Sequence, residues 1–156
     1  MIHRDVLMRQ IEQFAKAIAT LVQQAPREQP DDVLRSIDEA CQTHLDGPAA
    51  DLRSLAPEDL LALCHHNDRF VPEAAQTFAQ TLHRMGEAHR DQANEEAAGA
   101  CFGRSLLLYR RLLSEPDAPV SWQVGTTVAA LTRHVDQYPV DEDVQAALDA
   151  LRNGTE

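Results

Sequence analysis

The sequence predicts an all-α fold: antiparallel helical hairpins, about six or seven helices, in a single domain over residues 1–156. Two observations carry that prediction. Apolar residues recur in steps of three and four along most of the chain, which places them on one face of successive helices. Between these stretches stand prolines, glycines and short polar runs that stop one helix and start the next. No segment alternates apolar and polar residues as a half-buried strand does, and Thr126-Thr127-Val128, the most β-prone triplet, falls inside a helical pattern.

The first helix runs from Met1 to about Ala25 on the stripe Leu7, Ile11, Phe14, Ile18 and Leu21, ending before Pro26. Pro30 with Asp31 and Asp32 starts the second, because proline suits a first helical turn and acids complement the positive end of the helix dipole. Its stripe is Leu34, Ile37, Cys41 and Leu45, and Gly47-Pro48 stops it. After Leu52 and Leu55, Pro57-Glu58-Asp59 opens a short helix from Leu60 to about His65, broken by Asn67-Asp68. Pro72-Glu73 opens the fourth helix, with Val71, Ala75, Phe78, Leu82, Met85 and His89 inward and a turn at Gln92-Ala93-Asn94. The fifth carries Ala98, Phe102, Leu106, Tyr109 and Leu113 and ends before Pro116. Ser121 is the expected N-cap of a sixth, with Val124, Val128, Leu131, Val135 and Tyr138 inward and Pro139 closing it. Asp141-Glu142-Asp143 begins a last helix bearing Val144, Leu148 and Leu151, with residues 153–156 expected to fray.

Charge narrows the function classes. The 156 residues hold 14 Lys and Arg against 25 Asp and Glu, a net charge of −11. A surface that neutralises phosphates is basic, so neither nucleic acid nor an anionic membrane surface is an expected partner. Aromatic residues make up 4%, too few for base-stacking platforms. The amino terminus scatters charges through its first nine residues and lacks the apolar core of a secretory signal, and no run approaches a membrane span. Cys41, Cys64 and Cys101 are odd in number, far apart and on or near apolar stripes, which suits buried thiols in a cytoplasmic protein.

The window from Ala79 to about Arg110 follows the spacing of a tetratricopeptide repeat, with Leu82, Met85-Gly86, Ala98, Phe102 and Ser105 at the matching positions. In that register Gly86 and Ala98 let two helices approach closely, and Phe102 fills the gap between hairpins. His89 stands where the motif usually has Tyr, and the closing proline comes late, at Pro116. A weaker echo places Val33, Ile37 and Ala40 on a second helix of the same kind.

The stretch Met1-Ile2-His3-Arg4-Asp5-Val6-Leu7-Met8-Arg9-Gln10-Ile11-Glu12 resembles the opening of a bacterial tetratricopeptide-like helical family of unknown function, whose members typically begin Met-Ile-x-Arg-Asp-Tyr-x-Met-Arg-x-Ile-Glu. Ile37-Asp38-Glu39-Ala40 and Pro57-Glu58-Asp59-Leu60-Leu61 resemble that family's next two landmarks. Val6 departs from the usual Tyr. The resemblance covers about the first two-thirds of the chain; it implies the fold, and it carries over no activity and no catalytic residue.

Candidate chemistry is sparse. Cys64-His65-His66-Asn67-Asp68 holds metal-ligand types, but neighbouring helical residues diverge by about 100° and no C-x-x-C or H-x-x-x-H pair supports them. The better reading is a histidine pair at a helix C-terminus, so no metal or other cofactor is expected. His83 and Glu87, four apart, have no orienting third group or nucleophile in reach, and no catalytic residues are assigned. In the repeat register, Gln80, His83, Glu87 and Arg90 line the concave surface and are the candidate peptide-binding residues. Gly99 and Gly103 mark a close approach by another helix of the fold or a second subunit. Arg104 and Arg111, seven apart, share a face that is either solvated or meets an acidic peptide.

The expected function is a non-enzymatic protein–protein interaction module that binds a peptide or helix, or self-associates as a homodimer through helix one or an end of the stack. The alternative is a small helical metal-binding protein or hydrolase using the seven histidines and the acidic surface.

Overall fold

The computed structural model of the chain describes residues 9–10, 12–20, 29–45, 51–66, 68–116 and 122–154. Helices dominate them: α1, whose longest described stretch is 12–20, α2 Pro30–His44, α3 Pro57–Ala62, α4 Pro72–Asp91, α5 Glu95–Leu113, α6 Trp122–Gln137 and α7 Glu142–Gly154. The expected all-α class is the observed one. A 3-10 turn, Leu52–Ser54, precedes α3.

The helix starts follow the local chemistry. Pro30, Pro57 and Pro72 stand in the first turns of α2, α3 and α4, followed by Asp31 and Asp32, Glu58 and Asp59, and Glu73. Each proline gives up an N–H that a helix start leaves unpaired anyway, and each acid meets the positive helix end. Ser121, the expected cap of α6, lies outside the described residues, as does the Gly47-Pro48 stop after α2.

The turn between α4 and α5 is built in detail. Ala93 has a φ of 60°, its N–H donates to the Arg90 carbonyl at 2.9 Å, and the Asn94 N–H donates to the His89 carbonyl at 2.9 Å. This pair of bonds is a Schellman closure, with alanine where glycine is usual. Asn94 then caps α5, its side-chain oxygen accepting from Ala97 N at 3.3 Å. So short a connection forces α4 and α5 into an antiparallel hairpin. Ser105, buried on α5, donates its hydroxyl proton to the Ala79 carbonyl of α4 at 2.7 Å and pins the pair.

α5 is the centre of the molecule. Thirteen of its nineteen residues are buried, and it packs against the 3-10 turn, α3, α4, α6 and α7. This corrects the expected stripe at its end: Leu113 is 44% exposed while Leu112 is buried. A helix enclosed on all sides buries consecutive residues, here Leu106, Leu107 and Leu108, so a single-face pattern misplaces its last turn. Of the stripe on α1, Phe14 and Ile18 are described; both lie inside the core, with the Phe14 ring 5.6 Å from that of Phe78 on α4.

Two expectations near α3 are corrected. The helix ends at Ala62, not His65, and His65–His66 (β1) pairs antiparallel with Arg69–Phe70 (β2), a two-residue ladder among described residues that are otherwise helices, turns and loops. Asp68, at φ 62°, turns the chain back in the left-handed conformation that Asp tolerates better than most residues. The Val71 N–H donates to the Cys64 carbonyl at 2.6 Å and closes the loop onto α4. At the C-terminal end the helix continues through Gly154, two residues into the segment expected to fray.

Candidate functional site

Four elements border a cleft of about 400 Å³ lined by Ala19 of α1, Gln80, His83, Arg84 and Glu87 of α4, Tyr109 of α5 and Thr127 of α6. Gln80, His83 and Glu87 lie three and four residues apart, so one helix face presents all three. They are three of the four residues placed on the candidate surface by the repeat register. Arg90 stands one turn further along α4, outside the lining, where it pairs with Asp91 at 3.8 Å and adds positive charge near His83 and His134.

Behind His83 lies an aromatic stack. The Phe102 ring meets His83 edge-on at 6.1 Å, stacks on His134 of α6 at 4.4 Å, and lies 5.8 Å from Tyr138. A Cβ at Gly86 would come within 2.6 Å of the Phe102 ring, so only glycine leaves this position open. Burial holds the His83 and His134 imidazoles below their usual 6.5, since a charged ring here loses hydration. Glu87 opposes the shift in both, while His134, Arg90 and Arg84 add to it at His83. Both rings are therefore neutral hydrogen-bonding groups at neutral pH. Burial also pushes the Tyr109 hydroxyl up to about 12, so it stays protonated at the edge of the cleft.

Sequence reasoning missed Ala19, Arg84 and Thr127 as neighbours of this surface. Their convergence depends on how α1 and α6 cross α4, and nothing local signals it. Tyr109 was placed inward on α5, and from there it reaches the cleft.

The other candidates resolve differently. His65 donates from Nδ1 to the Leu61 carbonyl at 2.9 Å, so it does satisfy the C-terminal end of α3, though from a strand. Among the described residues, no group of three or more His, Cys, Asp or Glu side chains could hold a metal ion. Cys41, Cys64 and Cys101 are free and buried, and burial pushes each thiol up to about 12, which keeps them protonated. Gly99 and Gly103 serve the close approach within the chain: a Cβ at Gly99 would collide with the Pro139 carbonyl oxygen, and one at Gly103 would meet Val140 at 2.9 Å.

The reading of Arg104 and Arg111 as a free basic face is corrected. Arg104 is 3% exposed and donates to the Leu55 carbonyl at 2.9 Å, the Ala100 carbonyl at 3.1 Å and Asp141 at 2.8 Å. Arg111 lies over the Phe70 ring at 4.2 Å and pairs with Glu115 at 3.0 Å. Both side chains fasten segments of this chain to one another.

Comparison with protein-family models, curated proteins and solved structures finds no match. No helix among the described residues is long and apolar enough to cross a membrane.

Proposed function

We propose that this chain is a non-enzymatic interaction module of tetratricopeptide-like character, acting in the cytoplasm, which docks a peptide or helix in the cleft between α1, α4 and α6. The observation that carries the reading is the convergence of Gln80, His83 and Glu87 on one open cleft. These side chains offer neutral and charged hydrogen-bonding groups along one helix face, beside the aliphatic surface of Ala19 and the ring of Tyr109. Such a mixture suits a peptide, whose backbone needs donors and acceptors and whose side chains need apolar contact. The resemblance at the amino terminus bears on the fold alone and assigns no chemistry.

Selection from a displayed random-peptide library against the intact chain tests this. A convergent motif is expected, and its binding should fall by about tenfold in His83→Ala and in Glu87→Ala, as loss of one interfacial hydrogen bond to a charged or buried group predicts. Absence of any convergent motif, or binding unchanged in both variants, overturns it.

A further inference from the structure

A second cleft, of about 470 Å³, shares no lining residue with the first; Arg53, Ser54, Asn94, Glu96, Arg104 and Asp141 form its polar wall, with Ala97 and Ala100 beside them. Its charged groups are arranged, not scattered. Arg104 is held by three hydrogen bonds to three different segments, so its guanidinium is fixed before any ligand arrives. A guanidinium carries five N–H donors, and these bonds use three of them among the described residues, on a buried cation that borders the cleft. Arg53 makes no ion pair or hydrogen bond among the described residues. Asn94 uses its side-chain oxygen to cap α5, and its amide N–H groups have no partner among the described residues. Glu96 is exposed and makes no ion pair or hydrogen bond among the described residues, and Asp141 is half exposed beyond its bond to Arg104.

The cleft is thus lined by donors on two cations and an amide together with two carboxylates. Two positive and two negative side chains make the lining neutral overall. A polyanion would meet Glu96 and Asp141 at a cost, and a simple cation would meet Arg53 and Arg104. A molecule that carries both charges close together, an ammonium and a carboxylate on one carbon, matches all four. We propose that this cleft binds a small zwitterion of the amino-acid class, its carboxylate on Arg53, Arg104 and the Asn94 amide and its ammonium on Glu96 and Asp141. The volume lies within the range of small-molecule sites, and the fixed guanidinium lowers the ordering cost of binding.

The test is NMR titration of the intact, isotope-labelled chain with individual L-amino acids, with acetate and methylammonium as single-charge probes. Saturable shifts of the Arg53 and Arg104 Nε–H signals and of the Ala97 and Ala100 amides are expected from at least one amino acid. Arg53→Gln should weaken that binding by about tenfold, as loss of one charge-assisted contact predicts. Asn94→Asp retains a good N-cap but removes the amide donors, so it should abolish binding while melting at the wild-type temperature. Absence of saturable shifts from every amino acid overturns the proposal. So does acetate binding as tightly as the best amino acid, since the ammonium would then contribute nothing, and so does unchanged binding in Arg53→Gln.

Discussion

Phe102 of α5 and His134 of α6 lie nearly parallel, 14° apart with ring centroids separated by 4.4 Å, and this stack fastens α6 onto the α4–α5 hairpin. His83 borders the same ring from α4, so two imidazoles share one apolar neighbour. Both are held below their usual 6.5 chiefly by burial, with Glu87 opposing and Arg84, Arg90 and Arg133 variously reinforcing the shift. When the folded-state pKa is lower than the unfolded one, the unfolded chain binds more protons between the two values, and stability falls as pH drops through that window. Thermal melts should therefore show the folded state losing stability as pH falls below about 6.5. His134→Phe keeps the stack and removes one titrating ring, and its melting temperature should fall less steeply over the same range. An identical slope in the variant would show that these rings do not govern it.

Glycines 99 and 125 should respond in opposite directions to alanine. At Gly99 the new methyl would collide with the Pro139 carbonyl oxygen, a backbone atom that can yield only by moving the whole α6–α7 connection. Overpacking of this kind costs about 3 kcal/mol. Gly125 lies in α6 with nothing within 4 Å of the added atom, so alanine there should stabilise by about 0.5–1 kcal/mol through helix propensity alone. Denaturant unfolding of the two variants measures both effects, and a small change at Gly99 would mean that the close approach is not maintained in solution.

Ala93→Gly offers a gain of stability at a single turn. Ala93 closes α4 in the left-handed conformation, where a side chain costs about 1–2 kcal/mol. Glycine removes that cost while adding some unfolded-state entropy, leaving an expected net gain of about 0.5–1 kcal/mol in chemical denaturation. A loss of stability on substitution would exclude the Schellman closure as built.

Arg104→Met should destabilise by about 2–3 kcal/mol, because it leaves the buried Leu55 carbonyl without its donor and releases Asp141. Arg111→Met, which loses a surface pair and a ring contact, should cost about 1 kcal/mol or less. Equal costs in urea melts would contradict the division between a buried arginine and a peripheral one.

Part of this molecule is readable from local pattern. The helices of the hairpin, the turn at Gln92-Ala93-Asn94, the proline starts at 30, 57 and 72 and the grouping of Gln80, His83 and Glu87 all follow from spacing within about twenty residues. Each is a short-range matter: a dihedral preference, a cap, or the turn of one helix. The ladder after α3 was not readable, because two-residue strands have no periodicity to detect and Asp68 reads only as a break.

Local sequence accounts for the helices, for those boundaries that lie among the described residues to within a turn or so, and for one candidate face, because those depend on neighbours along the chain. Tertiary structure alone decides that α5 is enclosed, that Arg104 is interior, that His134 meets Phe102, and that Ala19 and Thr127 border the same cleft as His83. An enclosed helix has no polar face to set its phase, and an arginine's burial depends on carbonyls 49 residues away such as that of Leu55.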